Sequence, residues 1–424
     1  MNAHEPAISV IIPTYNQADY LATALNSVLA QTYRGHEIVI VDDGSTDETA
    51  HIVRNFVMAR PRQISYVRQP NCGLAAARNA GIRAARGHWV ALLDSDDIWL
   101  PDFLETMLRL LHTHPQTDVF YCGVQFMDAH GIDLPQVSNQ TAPPHQMYAA
   151  LLRANFLIPS TIFLRKMALV GAGYFDPAFR RLQDWELWWR MLQLGYDFVG
   201  TEEILVRYRV HDNSLSADAV GGQRAMLDMV EKHFGKEEER TPDWPWDKIR
   251  AYGGAFRYHA LNALQRQRDW VSCASYLRKA LQFDPALALD ISLFYELALG
   301  TQPLGYRGSI HFLDMEENAA EIEQLLYRLF RDPCPAAVKS AACTGTQHRL
   351  FCAWYGRLSH RAICAQSPLP AGRHPHSARA GPQPQADRDV AQVAAGPGAP
   401  ELAALPAQRL SMIEVMNHNI YIRQ

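Results

Sequence analysis

The chain has 424 residues, of which 48% are hydrophobic and 20% are charged, enough for two or three domains with a sizeable core. Its formal net charge of -4 argues against a dedicated polyanion binder, so we expect no nucleic-acid partner. No uncharged apolar run has transmembrane length, the N-terminus does not read as a signal peptide, and seven scattered cysteines favour reduced thiols, so we expect a cytoplasmic protein.

Strand-like and helix-like segments alternate in the first third of the chain. Short apolar runs at 8–12, 37–41, 64–67 and 89–93 predict buried strands. The segments 18–32 and 73–86 predict helices, and a further helix follows Asp47. This alternation predicts an α/β fold with a mainly parallel sheet and helices on both faces.

The first two predicted strands end in side chains that suit a nucleotide. Pro13 and Tyr15 follow the first strand, and Asp43 follows the second. Ligands of such sheets bind outside the carboxyl ends of the strands. Tyr15 could stack on a base, and Asp43 could accept a base N–H, which favours uracil, thymine or guanine over adenine. An alternative role for Asp43 is to form the turn before Gly44.

Three carboxylates follow the buried strand at 89–93. Asp94, Asp96 and Asp97 lie within four residues, which is costly at a buried strand end unless a cation is present. Carboxylate oxygens suit Mg2+ or Mn2+, and such ions usually keep part of their shell for a phosphate. The pattern predicts a metal–diphosphate site, although one of these acids could instead cap the helix that begins at Pro101.

The second third continues the alternation with less regularity. We predict a helix at 101–112, a strand at 119–126, a surface loop at 128–144, a helix at 148–156 and a strand at 160–164. A loop at 171–177 leads to a tryptophan-rich helix that stops at Gly195 and has Asp184 at its start. A further strand is predicted at 203–209.

Four ordered motifs resemble the family 2 glycosyltransferases. They are Ser-Val-Ile-Ile-Pro-Thr-Tyr-Asn (9–16), Ile-Val-Ile-Val-Asp-Asp-Gly-Ser-Thr-Asp-Glu-Thr (38–49), Asn-x-Gly-Leu-Ala-x-Ala-Arg-Asn-x-Gly (71–81) and Leu-Asp-Ser-Asp-Asp (93–97). The resemblance runs from Ile8 to about Ser216 and implies the GT-A fold and an inverting transferase. The fingerprint GxGxxG and the phosphate loop are absent from these turns, which counts against NAD enzymes and P-loop NTPases.

The resemblance also implies roles for individual residues. Asp94-Ser95-Asp96 corresponds to the DXD motif, and the metal, Mg2+ or Mn2+, is assigned to Asp96 with help from Asp97 and to His211. The residues implied in donor binding are Pro13, Tyr15, Asp43, Arg78, Asp94 and Asp96. Two alternatives stay open, because Arg78 could be a solvated helix residue and His211 a surface loop histidine.

The family pattern places an acid pair before the tryptophan-rich helix. Here the first member is Gln183, so the resemblance assigns the general base that deprotonates the acceptor hydroxyl to Asp184. The alternative is that Asp184 is only the helix N-cap. The segment from Tyr208 to Ser216 resembles the closing motif, whose Arg209 and serines could meet phosphate.

The remainder of the chain changes character. We predict a GT-A domain at 7–216, a helical region at 220–330 with one tetratricopeptide-like hairpin at 254–285, and a low-complexity tail at 331–424. The tail holds ten of the 25 prolines and shows poor hydrophobic periodicity, so we expect disorder there.

The resemblance implies a UDP-, dTDP- or GDP-linked sugar donor and a glycan, lipid-linked or protein acceptor in cell-surface glycan or polysaccharide synthesis. Peripheral contact with the inner face of the membrane is compatible with such acceptors. One rival is a sugar-phosphate nucleotidyltransferase, but its Gly-rich basic loop is absent from Pro13-Thr14-Tyr15-Asn16. The other is a non-catalytic nucleotide-sugar sensor or a scaffold built on the helical hairpin.

Overall fold

The computed structural model describes residues 7–211, 219–237 and 243–290, together with residues 293, 296, 297, 325 and 329. All of these belong to one compact unit. The tail predicted at 331–424 and the serines of the closing motif lie outside the described residues. No described helix is both long enough and apolar enough to cross a membrane.

The described residues form one mixed sheet with helices packed against it. The strands are Ile8–Thr14 (β1), His36–Asp42 (β2), Ile64–Arg68 (β3), Trp89–Leu92 (β4), Ile98–Trp99 (β5), Val119–Met127 (β6), Asp133–Ser138 (β7), Phe163–Arg165 (β8) and Phe198–Arg209 (β9). The helices are Ala18–Leu29 (α1), Thr49–Ala59 (α2), Leu74–Ala84 (α3), Phe103–Thr113 (α4), Pro144–Leu151 (α5), Lys166–Gly171 (α6), Gln183–Gln193 (α7), Ala219–Phe234 (α8), Trp246–Gln267 (α9) and Trp270–Phe283 (α10).

The sheet order is β3-β2-β1-β4-β8-β6-β9-β5, with β7 paired to β6. The long pairings of β1 with β2 and of β6 with β9 are parallel, whereas β8 runs antiparallel to both β4 and β6. The predicted α/β fold with a mixed sheet is therefore confirmed, and β5, β7 and β8 all pair antiparallel to their neighbours. Because β1, β2 and β4 are parallel neighbours, their carboxyl ends meet at one edge.

The central strands are buried on both faces. Val10 and Ile12 pack with Leu25 of α1 in the main core cluster, while Ile11 faces the opposite layer. On that side α3 approaches closely because Gly81 has no side chain. A Cβ there would collide with the Ile11 methyl group. The close approach of α3 brings its residues to the carboxyl edge of the sheet.

Several elements differ from the sequence expectations, including the strand predicted at 160–164, which is β8 at Phe163–Arg165. The predicted loop at 128–144 contains β7, which pairs with β6 at the sheet edge. The helix predicted at 148–156 is α5, which begins at Pro144 because proline suits the first turn. The strand predicted at 203–209 begins at Phe198. The two-residue strand β5 was not predicted, because so short a segment carries no periodicity.

Among the described residues, three helices follow the sheet, and they contact α7 and the segment that follows α5. The hairpin of α9 and α10 has Asp269 as the cap of α10, where its carboxylate accepts from the N–H groups of Val271 and Ser272. The backbone of α9 touches the end of α5 at Gly254, and Arg153 forms an ion pair with Asp284 at 2.9 Å. The hairpin therefore contacts the segment that follows α5.

We expect Gly254→Ala to lower the free energy of unfolding by about 1–3 kcal/mol, the usual cost of overpacking. The added Cβ would collide with the Leu152 carbonyl oxygen and lie 2.9 Å from Arg153 Cα, and both belong to the backbone. Thermal unfolding followed by circular dichroism measures the effect. The control is Gly222→Ala, whose Cβ meets first the hydroxyl end of the Tyr258 side chain. Equal midpoints for Gly254→Ala and Gly222→Ala would contradict this packing.

Candidate active site

The first part of the site lies where β1 and β2 end. Pro13 lies in β1, and Tyr15, which follows it, is 45% exposed. Asp43 is buried at the end of β2 and accepts hydrogen bonds from the Gln69 side chain at 2.7 Å and from the backbone N–H groups of Cys72 and Gly73 at 3.0 and 2.8 Å. Asp43 therefore fixes the connection between β3 and α3, and its backbone N–H donates to the carbonyl of Thr14, the residue before Tyr15.

The second part is the carboxylate corner, residues 94–97, which directly follows β4. The Asp94 carboxylate accepts from the Arg78 guanidinium at 2.6 Å, and its backbone N–H donates to the Ser160 hydroxyl at 3.0 Å. Burial raises the pKa of Asp94, and the charge of Asp96 adds to this rise, while Arg78 opposes it. Arg78 thus supplies a positive charge beside this partly buried carboxylate.

Arg78 is a buried cation with unused donors. Its side chain is 1% exposed and lies 5.3 Å from the centroid of the Phe175 ring. Its Nε and Nη1 atoms have no hydrogen-bond partner in the structure. A buried guanidinium with two unused N–H directions is costly, and a bound anion or sugar hydroxyl would satisfy it. The alternative of a solvated helix residue is therefore wrong, because α3 buries this side chain.

Asp97 occupies a different environment from its neighbours. It is fully buried, its Oδ2 accepts from the Ser160 hydroxyl at 2.5 Å, and its Oδ1 accepts from the Arg209 N–H at 2.8 Å. Burial raises the pKa of Asp97 well above its usual range, with further contributions from Asp96 and Asp94. Both oxygens hold protein groups together, so metal ligation by Asp97 would have to compete with these bonds.

Asp96 and His211 come together at the same corner. The Asp96 Oδ2 atom lies 3.0 Å from His211 Nε2, and the His211 ring packs 5.2 Å from the ring of Tyr20. The Asp96 side chain keeps 20% of its surface exposed. Within the described ranges, no group of three or more His, Cys, Asp or Glu side chains is arranged to hold a metal ion. Asp96 and His211 therefore form a pair of side chains, one carboxylate and one imidazole, that could serve as two metal ligands.

Arg209 has a structural role that the sequence did not indicate. We expected it to be free to meet phosphate, but it is 5% exposed and its guanidinium donates to the carbonyl oxygens of Asp96, Asp128 and Ala129. The same guanidinium lies 4.5 Å from the centroid of the Tyr20 ring. Arg209 therefore fastens the carboxylate corner to the β6–β7 turn.

The third part is Asp184, the second residue of α7. It is not the helix N-cap, because Leu182 occupies that position with a positive φ of 55° and no side-chain capping bond. The Asn155 amide donates to Asp184 Oδ2 at 3.2 Å. Burial raises the pKa of Asp184, Arg78 opposes the rise, and Asp94 reinforces it. The charges of Arg78 and Asp94 therefore both act on the Asp184 carboxylate.

The neighbours of Asp184 in α7 are buried. Gln183 is 5% exposed, and its Oε1 atom has no hydrogen-bond partner in the structure. The indole N–H groups of Trp185 and Trp189 both donate to the Leu151 carbonyl, at 2.7 and 2.8 Å. These bonds hold α7 against the end of α5 and so fix the start of the helix, where Asp184 lies.

Glu186 anchors α7 from the other side, and the sequence reading missed it. It is fully buried, and its carboxylate meets Arg190 at 2.6 Å, Lys232 at 2.7 Å and His233 at 3.2 Å. The last two belong to α8. The spacing of Glu186 and Arg190 by four residues was the available signal, but such pairs are more often solvent-exposed. The two partners from α8 could not be foreseen.

Comparison with known proteins matches this chain to glycosyltransferases. The family model described as "Glycosyl transferase family 2" matches residues 9–169. A putative teichuronic acid biosynthesis glycosyltransferase TuaG of Bacillus subtilis is 32% identical over 219 residues, which is 51% of this chain and 84% of that protein. The UDP-Glc:alpha-D-GlcNAc-diphosphoundecaprenol beta-1,3-glucosyltransferase WfaP of Escherichia coli is 30% identical over 214 residues, 50% of this chain and 80% of that protein.

Other relatives match over a smaller share of their length. An uncharacterized glycosyltransferase of Rickettsia typhi is 32% identical over 226 residues, 50% of this chain and 66% of that protein, so the match leaves about a third of this relative uncovered. Among solved structures, Staphylococcus aureus TarS 1-349 in complex with UDP-GlcNAc is 18% identical with a TM-score of 0.48, and the match covers 74% of this chain and 91% of that one.

Proposed function

Because this chain belongs to glycosyltransferase family 2, we propose that it moves a sugar, with inversion, from a nucleotide-diphosphate donor to an acceptor hydroxyl. The observation that carries this proposal is the grouping of Asp184 with Arg78 and Asp94. Asp184 is 90 residues from Asp94 and 106 residues from Arg78 in sequence, yet the charges of both act on it in the folded chain. Family membership alone would not require that arrangement in this chain.

The donor would lie along the carboxyl ends of β1, β2 and β4. Tyr15 is 45% exposed and so could stack on the base, and Pro13 and Asp43 would line the base site. Uracil, thymine and guanine each offer an N–H that Asp43 could accept. The unused Nε and Nη1 atoms of Arg78 suit an oxygen of the diphosphate or of the transferred sugar. Asp94, held by Arg78, would accept from a ribose or sugar hydroxyl.

Asp96 and His211 would hold a divalent cation. Two protein ligands suit Mg2+ or Mn2+ bound together with a nucleotide, because such ions commonly take their remaining ligands from water and phosphate. When bound, the ion would neutralise negative charge on the departing diphosphate. We propose Asp96 and His211 as the ligands ahead of Asp97, whose two oxygens are engaged by Ser160 and Arg209.

Asp184 would act as the general base. As the acceptor oxygen forms its bond to the anomeric carbon, the bond from that carbon to the diphosphate breaks, and the acceptor proton passes to the Asp184 carboxylate. Attack from the face opposite the leaving group inverts the anomeric centre. Burial raises the pKa of Asp184 toward neutral pH, and a carboxylate with a higher pKa is a stronger base.

The relatives indicate a substrate class. TuaG is named for teichuronic acid biosynthesis, and WfaP is named for transfer to a diphosphoundecaprenol-linked sugar. We propose that this chain also acts in cell-surface glycan or polysaccharide synthesis, with a UDP-, dTDP- or GDP-linked donor. The acceptor would be a glycan, a lipid-linked sugar or a protein, and a lipid-linked acceptor would bring peripheral membrane contact.

A thermal-shift panel of nucleotide sugars with and without Mn2+ tests this proposal. We expect one donor class to raise the unfolding midpoint of the full chain, with the larger rise when Mn2+ and nucleotide sugar are both present. A ligand at about a hundred times its Kd stabilises the folded state by about 2.7 kcal/mol. Asp96→Asn should remove most of the Mn2+-dependent part. Absence of any shift across UDP-, dTDP- and GDP-sugars would contradict the donor site.

A further inference from the structure

The side chain of Asn155 is oriented by its own loop. Its Oδ1 atom accepts from the Leu157 N–H at 3.0 Å, and its Nδ2 atom donates to Asp184 Oδ2 at 3.2 Å. Because a backbone N–H needs an acceptor, the bond to Leu157 fixes which end of the amide faces Asp184. Asp184 Oδ2 is thus held by a side-chain donor from outside its own helix, in addition to the backbone N–H groups of Asp184 and Trp185 that act on the carboxylate.

The loop that carries Asn155 is fastened at its start. The Leu151 carbonyl receives both indole N–H groups, from Trp185 and Trp189, which links the loop to the helix of Asp184. Two residues later, Arg153 donates through Nη2 and Nε to Asp284 Oδ2, at 2.9 and 3.2 Å. Arg153 therefore ties the loop to the helical hairpin.

The hairpin also limits the position of the loop by direct backbone contact. Gly254 of α9 lies against the carbonyl of Leu152 and the Cα of Arg153, with no side chain between them. On the same side, the rings of Trp185 and Tyr258 are 6.2 Å apart. The segment 151–155 is therefore held between α7 and α9, and a shift of the hairpin would move Asn155 relative to Asp184.

From these contacts we infer that Asn155 is a positioning residue for Asp184, and that the α9–α10 hairpin holds Asn155 in place. The inference rests on the proposed role of Asp184 as the base. It gives the helical region a part in catalysis that its sequence did not indicate. The Asn155 amide holds Oδ2 and so fixes the position of the carboxylate, and misplacing a catalytic group by about 1 Å can cost about a hundredfold in rate.

The decisive variant is Asn155→Asp, assayed in the full chain with the donor found by the thermal-shift panel. Aspartate can still accept from the Leu157 N–H, so the loop turn is kept, but the donor to Asp184 becomes a negative charge. We expect kcat to fall by about 10- to 100-fold, with the donor KM within about twofold of wild type. We also expect the acid limb of the kcat profile to move to higher pH.

The pH readout separates positioning from folding. The charges of Arg78 and Asp94 and the backbone N–H groups of Asp184 and Trp185 also act on Asp184, and all of these are kept in the variant. Only the hydrogen bond from the Asn155 amide is replaced. Asn155→Ala removes the donor without adding charge, so a smaller shift in the same direction is expected. If Asn155→Asp does not fold, the same measurements on Asn155→Ala decide the question. Wild-type kcat and an unmoved acid limb in the folded variant would overturn the inference.

The role of the hairpin is tested with Arg153→Ala. We expect a fall in kcat of about 3- to 10-fold with unchanged donor KM. The control is Arg109→Ala, which removes an exposed ion pair with Glu203 at 2.7 Å on α4, away from the hairpin, and should leave kcat unchanged. Equal kcat for both variants would overturn the role of the hairpin. If Asp184→Asn were fully active, the proposed base would fail; if only the Asn155 variants are normal, the positioning inference fails alone.

Discussion

Asp184→Asn is expected to reduce kcat by about a thousandfold or more while the donor still binds. General-base catalysis contributes about 10²- to 10⁴-fold, and an amide cannot accept the acceptor proton at any accessible pH. The substitution should not disturb the fold, because the Asn carbonyl oxygen can still accept from the Asn155 amide. Burial disfavours the charged form of Asp184 and so raises its pKa, and the neutral Asn side chain avoids this cost.

Steady-state release of the nucleotide diphosphate measures this effect, and donor affinity is measured separately by thermal shift. The matched control is Asp228→Asn, which makes the same chemical change at an exposed position of α8. Full activity in Asp184→Asn would show that another group takes the proton. If wild type binds the donor tightly but neither transfers nor hydrolyses it, the sensor alternative replaces the enzyme.

The dependence of wild-type kcat on pH should report the titration of the same carboxylate. A base works only when deprotonated, so kcat falls as the pH drops through the pKa of Asp184. Because burial raises that pKa, the acid limb should lie above the ordinary range of a carboxyl group, about pH 4. In Asp184→Asn the residual rate should lose this limb.

The central strands could be predicted because each appears in the sequence as a continuous apolar run. β1 and β2 are buried along their whole length, and strands covered on both faces appear in sequence as unbroken apolar runs. β7 gave no such signal, because it pairs only along the sheet edge and buries just Leu134. The hydrogen bonds of the Gln125 side chain to the Leu134 and Gln136 carbonyls also depend on partners that sequence periodicity does not register.

The sequence could predict that the candidate site residues lie at one edge of the sheet, but it could not predict their individual contacts. Acids at adjacent strand ends had to lie close together once the strands were parallel. What separates Asp97 from Asp96 is the pairing of Asp97 with Ser160 and with the Arg209 N–H, from segments more than sixty residues away. Such pairings depend on the packing of β8 and β9, which no local pattern encodes. The roles of Arg209 and Asn155 were missed for the same reason.

Glu186 shows most clearly what local patterns leave out, and it has the largest expected effect on stability. Its carboxylate is fully buried and meets Arg190, Lys232 and His233. Burial alone would raise the pKa of Glu186, but the hydrogen bonds from His233, Arg190 and Lys232 outweigh it and hold the pKa well below its ordinary range. The ionised carboxylate therefore stabilises the folded chain.

We expect Glu186→Gln to lower the free energy of unfolding by about 3 kcal/mol near neutral pH, because removing one partner of a buried ionic group leaves the others uncompensated. Urea unfolding measures the loss. Glu203→Gln is the control: its pair with Arg109 is about half exposed on both sides, and such pairs contribute about 0–1 kcal/mol. Losses of equal size in the two variants would contradict the anchoring role of Glu186.

The pH dependence gives the same prediction an independent check. A carboxyl group whose pKa is lower in the folded state contributes stability above its unfolded pKa, about 4.3, and this is lost as the pH falls toward the folded value. Wild type should therefore lose stability on acidification below about pH 5, and Glu186→Gln should lose less over the same interval. Because Lys232 and His233 belong to α8, the difference measures how far this one carboxylate binds α8 to the helix that carries Asp184. Parallel stability curves for the two proteins would show that α8 is held by its apolar contacts instead.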